Sequence, residues 1–317
     1  MAAGYRFTVA TRLNGTLWSW GRNNYGELGQ GDTTSRSSPT QIGSSTNWSQ
    51  VAAGGQNFAL AIRTTGTLWA WGRNNNGQLG INEGNYNKSS LVQVGALTNW
   101  SQVAAGQQFA VAIKTDGTLW SWGGYTNGAL GLNDAFSRSS PVQVGSLTNW
   151  SKVAAGYQHS VAIKTDGTLW SWGRNNSGQL GINNTIDRSS PVQIGALTNW
   201  SEVACGSAFV VAIKNDATLW SWGVNSSAQL GQNDTTYRSS PVQIGALATW
   251  SRVSAGDSFA VAITNAGSLW AWGSNFRGQL GLNDTAARSS PVQVGALTTW
   301  QRLPKMPSSA HTLAIKG

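Results

Sequence analysis

The chain has little of what chemistry usually needs. Its 317 residues include one cysteine, two histidines and two methionines, and only 10% are charged. A single cysteine, Cys205, excludes an internal disulfide. It stands where other copies of a Val-Ala-Ala-Gly segment have alanine, so it reads as a small buried hydrophobe. His159 and His311 occupy a slot filled elsewhere by Phe7, Phe58, Phe109, Phe209 and Phe259. No His-x-Glu, Cys/His cluster, paired carboxylates or Ser/His/Asp arrangement is present, so neither a metal site nor an activated nucleophile is encoded. The expectation is a protein that is not an enzyme and carries no cofactor and no metal.

Long apolar runs are also missing. None approaches the ~20 residues of a membrane span, and Met1-Ala2-Ala3-Gly4-Tyr5-Arg6 lacks the basic-then-apolar layout of a signal peptide. A soluble chain, cytoplasmic or virion-associated, is expected. The charged fraction lies far below the roughly 25% of ordinary soluble domains; Asn, Ser, Thr, Gly and Gln supply the polarity. Lys and Arg number 21 against 12 Asp and Glu, a net charge of +9. Such a balance favours nucleic acid, anionic lipid or an acidic partner. The cations are spread through the chain without a run, which argues against a nucleic-acid site.

What the chain does have is tryptophan on a grid. The pairs Trp18/Trp20, Trp69/Trp71, Trp120/Trp122, Trp170/Trp172, Trp220/Trp222 and Trp270/Trp272 recur, each followed by a third member at Trp48, Trp100, Trp150, Trp200, Trp250 and Trp300. These account for all 18 tryptophans. A fixed period of about 50 residues marks a repeat architecture, whose units bury their apolar faces only by stacking. Residues 1–317 therefore read as one domain, six repeats and a partial C-terminal copy.

One copy, residues 100–149, reads as short strands. Trp100 to Ala105 is followed by Phe109-Ala-Val-Ala-Ile113, whose alternation separates Phe109, Val111 and Ile113 from Ala110 and Ala112. Lys114-Thr-Asp-Gly117 is a hairpin turn, because Asp-Gly favours positive φ. Thr118-Leu-Trp-Ser-Trp-Gly123 puts Trp120 and Trp122 on one face. Polar loops run through Gly131 to Arg138-Ser-Ser-Pro141, and Val142-Gln-Val-Gly145 makes a last short strand. Four strands per copy without helical periodicity describe a propeller blade.

The repeat Gly-Thr-Leu-Trp-Ser-Trp-Gly-Arg-Asn-Asn-x-Gly-Gln-Leu-Gly, then Arg-Ser-Ser-Pro-Val-Gln, then Val-Ala-Ala-Gly, resembles the RCC1 (regulator of chromosome condensation) repeat over essentially the whole chain. The resemblance implies a β-propeller of four-stranded antiparallel blades. The family is best known with seven blades; six Trp-x-Trp-Gly strands imply six here. The founding member is a guanine-nucleotide exchange factor for a small GTPase and docks on nucleosomes, using an inserted wedge and a basic tail. Copy spacing of 50–52 residues leaves no room for such an insertion. The Gly-Trp-Arg-His-Thr motif of the similar plant UV-B photoreceptor is absent. Near-identical, Trp- and Asn-rich copies resemble RCC1-like proteins of bacteria and their phages.

Several residue sets compete for function. The Trp pairs could stack on sugar rings, but their alternation beside Leu favours inter-blade core. The third Trp sits at a strand start and is expected to be partly exposed. Arg36, Lys88, Arg138, Arg188, Arg238 and Arg288 share one loop position and form a candidate partner-binding ring. Asp32, Asp134, Asp234 and Asp284 lie four residues earlier and could instead hold their Arg within the loop. Arg22, Arg73 and Arg174 follow Trp-Gly in three copies and make one side of the disc more basic. Single carboxylates in the Asn-Asp loops are too few for calcium. The Asn-Trp-Ser triplets at Asn47, Asn99, Asn149 and Asn199 read as strand starts rather than glycosylation sites. The Gly-rich loops lack the Lys-Ser/Thr ending and the helix of a phosphate cradle.

The reading that follows is a non-enzymatic interaction or structural module that binds a protein partner through a disc face, in a virion or cell-surface setting. A multivalent lectin binding glycans is the alternative, and GTPase exchange is disfavoured. The apolar second strand occurs seven times, from Phe7 to His311–Ile315, so the chain ends are expected to join. Residues 300–316 would complete the blade begun near the N-terminus. One surplus strand, 5–10 or 311–315, would be left at an edge, where it could pair with a second copy.

Overall fold

The computed structural model describes residues 1–304, 311 and 314–316, and every regular element among them is a β-strand. Six separate four-stranded antiparallel sheets follow one another along the chain, each in simple sequential order. In the third, the strands are Trp100–Ala105, Phe109–Lys114, Leu119–Gly123 and Arg138–Gln143. The first strand of each blade lines the central axis and the fourth lies at the rim.

The alternation read from the sequence is realised directly. Phe109, Val111 and Ile113 face the following blade, where they meet Trp150, Val153, Ala155, Ala162 and Trp172. Ala110 and Ala112 face the preceding blade and lie beside Trp122. Large side chains from one sheet thus fill the wedge against small ones on the next, and the joint repeats from blade to blade.

Two local readings are refined. In the Lys114–Gly117 hairpin only the glycine takes positive φ, +76°. Lys114 N donates to Thr118 O, and Gly117 N to Lys114 O. This is a turn closed by a glycine bulge, not a two-residue mirror turn. The Arg-Ser-Ser-Pro segment, read as loop, belongs to the rim strand Arg138–Gln143. Its Pro141 is tolerated because a rim strand is an edge. The register shift between Ser121 and Gly123 opens the ladder opposite it. Gly123 itself has φ +105°, and a Cβ there would lie 2.5 Å from Gln108 O.

The expected clasp is overturned. The N-terminal blade is complete without the C-terminus, because Ala2–Ala3 forms its inner strand, paired Ala2↔Val9 and Ala3↔Thr8. This is the register of Ala104↔Val111 and Ala105↔Ala110 in a full-length copy. Two alanines, fully buried, suffice because they are the part of the strand that meets the axis. Strand Phe7–Thr11 is therefore internal rather than surplus. Residues Trp300–Arg302 pair with Ile315–Lys316 in a two-stranded sheet of their own. That sheet fills the sector between the sixth blade and the first. Trp300, Leu303 and Ala314 pack with Phe259, Val261, Ile263 and Ala3. Ser254 Oγ donates to Pro304 O at 2.5 Å, and Thr8 Oγ1 lies 3.1 Å from His311 Nε2. Of the degenerate 303–307 segment, residues 305–307 lie outside the described residues, as do 312 and 313 of the last apolar strand.

Candidate interaction surfaces

Each tryptophan pair divides. The second member is fully buried in five blades, as Trp71, Trp122, Trp172, Trp222 and Trp272. Each donates its Nε1–H to a backbone carbonyl of the preceding blade, for example Trp122 to Gln78 O at 3.1 Å and Trp172 to Ala129 O at 2.9 Å. Trp20 occupies the same position in the first blade but faces the two-stranded sector and is partly exposed. The first members, Trp18, Trp69, Trp120, Trp170, Trp220 and Trp270, are also partly exposed.

The third tryptophan was expected to be partly exposed, and here the structure reverses the expectation. Trp48, Trp100, Trp150, Trp200 and Trp250 are at most 4% exposed. They share a face with their blade's pair, and Trp100 packs edge-on against both Trp120 and Trp122 at 6.0 and 5.9 Å. Only Trp300, in the two-stranded sector, is partly exposed.

A cation caps each partly exposed ring in five blades. Lys114, Lys164 and Lys214 Nζ lie 3.4, 3.7 and 3.4 Å from the ring centres of Trp120, Trp170 and Trp220. Arg12 covers Trp18, and Arg63 covers Trp69. Burial pushes the three lysines' pKa values down, against the pull of Asp116, Asp166 and Asp216. This cation–π set was missed in the sequence, although a cation six residues before the first Trp in five copies was its signal. It assigns five of the chain's cations to the framework.

The disc has two unlike faces. The turn face carries the hairpins and the links between blades. Asn149 lies there, its carbonyl accepting Thr165 N–H at 2.8 Å. Leu97, Leu147, Leu197, Leu247 and Leu297 repeat around it, each near half-exposed. The loop face carries the links from first to second strand and from third to fourth. Around the axis the former bond to one another: Gln56 N–H donates to Gln107 O, Gln107 to Tyr157 O, Tyr157 to Ser207 O and Ser207 to Asp257 O, at 2.9–3.3 Å.

All the basic candidates lie on the loop face. At its outer edge Arg36, Arg238 and Arg288 pair with Asp32, Asp234 and Asp284 at 2.7, 2.6 and 2.5 Å, and Arg138 pairs with Asp134. Lys88 holds Glu83 at 2.5 Å. Arg188 has Asn184 where an aspartate would be; it donates to Asp187 O at 3.3 Å, while the Asp187 carboxylate binds Asn175 N and Asn127 Nδ2. The other carboxylate oxygen of Asp32, Asp134, Asp234 and Asp284 accepts a loop N–H. Nearer the axis, Arg22 and Arg73 flank the Tyr25 ring at 5.8 and 5.1 Å. Arg174 instead donates to Gln158 Oε1 at 2.7 Å and to Asn176.

The remaining chemical groups are enclosed. His159 is fully buried in its phenylalanine slot, neither ring nitrogen has a protein partner, and burial holds its pKa down at about 3. Burial likewise pushes the Cys205 thiol up. The axis holds a cavity of about 170 Å³ walled by alanines of the inner strands. At one mouth Lys152 bridges Glu202 at 2.7 Å, with Arg252 at 3.9 Å from the same oxygen. Two equivalent clefts of about 480 and 330 Å³ lie between blades at the rim, one beside Trp200, Trp220 and Pro241, the other beside Trp250, Trp270 and Pro291. No helix of the described residues is long and apolar enough to cross a membrane.

Similar proteins share this architecture. The RCC1-like domain matches residues 55–315, and the regulator of chromosome condensation (RCC1) repeat matches residues 14–62. The ultraviolet-B receptor UVR8 of Arabidopsis thaliana is 32% identical over 139 residues, covering 43% of this chain and 31% of the receptor. Human RCC2 is 38% identical over 125 residues, 38% of this chain and 23% of that protein. The matched stretches thus span less than a third of these relatives. Among solved structures, human WBSCR16 superposes with a TM-score of 0.83 at 22% identity, covering 93% of this chain and 81% of that one. Yeast RCC1 (Prp20), bound to Kap60, gives 0.85 at 21% identity, covering 97% and 78%. The fold and the repeat together place this chain in the RCC1-like propeller family.

Proposed function

We propose that the chain is a non-enzymatic interaction module that binds a protein partner through one face of the disc. The observation that carries this reading is where the reactive groups go. His159 sits in a buried phenylalanine slot, His311 bonds Thr8, the cysteine lies in an inner strand, and the loop aspartates hold their own loops. What remains open to solvent is a rigid array of loops on a closed scaffold, the arrangement in which binding residues concentrate. Similarity to yeast RCC1, whose solved structure is a complex with Kap60, supports a protein as the partner class. A virion or cell-surface setting suits the neutral Asn/Ser/Thr-rich exterior. The test is affinity capture from the source cells with the purified chain, followed by reconstitution of each captured protein with it. A saturable one-to-one complex is expected. Failure of every captured protein to rebind would contradict the reading.

A lectin is the second reading, and the repeated rim clefts support it. Each places a partly exposed Trp220 or Trp270 beside Asn183 or Asn233 and a serine–proline pair, a floor and polar edge suited to a pyranose ring. A glycan array separates the two readings. Binding lost in Trp220→Ala would favour the lectin.

A further inference from the structure

We propose that the partner docks on the loop face over the first two blades and presents an acidic protein segment there. This deepens the interaction-module reading and rests on it. The first observation is a contrast between copies inside one chain. The framework repeats almost unchanged, and so do the links of the turn face: Gly-Ala-Leu-Thr or a close variant follows the rim strand in copies 2 to 6. On the loop face the two residues before each second strand differ in every copy: Tyr5-Arg6, Gln56-Asn57, Gln107-Gln108, Tyr157-Gln158, Ser207-Ala208 and Asp257-Ser258. The residue after Trp-Gly varies too (Arg22, Arg73, Gly124, Arg174, Val224, Ser274), as does the one three positions later.

These scattered positions meet in space. Arg22 N–H bonds Arg6 O, and Arg73 N–H bonds Asn57 O. Across the blade joint Arg73 lies over Tyr25, and a Cβ on Gly124 would meet both Asn76 and Gln108. The variable residues therefore form one belt around the axis, and its chemistry is lopsided. The first two blades contribute Tyr5, Arg6, Arg22, Tyr25 and Arg73. The third contributes amides and a glycine, the fourth Tyr157, Gln158, Arg174 and Ser177, the fifth small neutral side chains, and the sixth Asp257, Ser258, Ser274 and Arg277.

The basic sector is prepared for carboxylates. Arg6 lies 5.1 Å from the Tyr5 ring, and the Arg22 and Arg73 guanidiniums both lie over Tyr25. Among the described residues none of these arginines forms a salt bridge, whereas most of the outer ring does. Arg73 Nε is enclosed without an acceptor. Its guanidinium packs over the Tyr25 ring at 5.1 Å. Glu27, the carboxylate beneath the sector, is fully buried and takes the Tyr25 N–H at 2.6 Å; it feels the Arg22 charge but forms no ion pair with it. Planar guanidiniums bind carboxylates through paired hydrogen bonds, and Tyr and Arg are the residues that anchor interfaces. A nucleic acid would need cations continuing along its phosphate track. Beyond the first two blades the belt carries Arg174, bonded to Gln158 and Asn176, and Arg277, set against Asp257, and most of the outer cations carry carboxylates of their own, so an acidic polypeptide fits better.

The test uses a fluorescein-labelled Asp/Glu-rich peptide containing tyrosine, titrated with the full chain by fluorescence anisotropy. Saturable binding that weakens with salt is expected. Arg22→Ala/Arg73→Ala should weaken it at least about tenfold, a loss of ~1.4 kcal/mol, with an unchanged thermal melt. Leu147→Ser/Leu197→Ser, on the turn face, should leave it unchanged. No binding by the wild-type chain, equal binding by the arginine variant, or displacement by a single-stranded oligonucleotide that binds more tightly would overturn the proposal. A captured partner that the arginine variant still binds fully would also overturn it, while leaving the interaction-module reading intact.

Discussion

Blade joints and the loop face are built on opposite rules. At the joints, Trp122, Trp172 and Trp222 occupy the same position, reach the same kind of carbonyl and are equally buried. On the loop face, Gln107-Gln108 gives way to Tyr157-Gln158 and then Ser207-Ala208 over backbones bonded in the same way. Copies that must stack on one another cannot drift at the contact, because a change of even a methylene is felt in a close-packed interior. A loop facing water has no such restraint. The joints should therefore carry stability and the loop face recognition, with little exchange between them.

The joints give the largest effect. Trp122→Ala should cost on the order of 3–5 kcal/mol, as truncation of a buried aromatic does. Trp20→Ala, at the partly exposed equivalent beside the two-stranded sector, should cost clearly less. Urea unfolding of the two variants checks the difference; equal losses would show that the closing sector is as tightly packed as the others.

Removal of residues 300–317 comes next. It uncovers Phe259, Val261 and Ala3 and breaks the Thr8–His311 contact, and should cost about 2 kcal/mol or more. An unchanged melting temperature would mean that the ring does not depend on this sector.

His159 tests the joint through pH. Its folded pKa, about 3, lies below the ordinary 6.5. Above 6.5 the ring is neutral in both folded and unfolded chains, and the native state incurs no proton penalty. As pH falls below 6.5 the unfolded chain takes up a proton that the folded one refuses, so stability is lost down to about 3. His159→Phe should abolish that part of the slope. It should also add ~1–3 kcal/mol at neutral pH by removing two unpartnered buried nitrogens. Denaturant midpoints at pH 7 and pH 5 measure both effects.

The smallest effect belongs to the outer ring. Asp134→Asn with Arg138→Gln removes an ion pair held at a solvent-facing loop, where such pairs contribute little. Partner binding should persist. A large loss of affinity with steep salt dependence would make the outer ring part of the docking surface.

The joints were legible in the sequence and the loop face was not, for a physical reason. Periodic alternation around Trp120 and Phe109 encodes strands and packing directly, so blade number and strand order could be read. Trp100 was misjudged because a strand start looks solvent-facing until the bulge between Trp100 and Gln102 breaks the alternation and turns it onto the face of Val103, Ala105 and the pair. The inner strand of the first blade was missed because its marker, Trp-Ser-x-Val, is absent, while Ala2–Ala3 alone completes the ladder. The meeting of Tyr25 with Arg73 is invisible along the chain, since it joins residues 48 positions apart across a joint. The same holds for Lys114 over Trp120, where spacing hints at contact but only the hairpin geometry makes it.

The central claim, that recognition lies on the loop face, is tested most directly by hydrogen–deuterium exchange of the chain alone and with its reconstituted partner bound. We expect slowed exchange at residues 5–6, 22–25, 56–57 and 73–76, and none at the hairpins 114–117 and 164–167. Slowing confined to those hairpins, or to the rim beside Trp220 and Trp270, would contradict it.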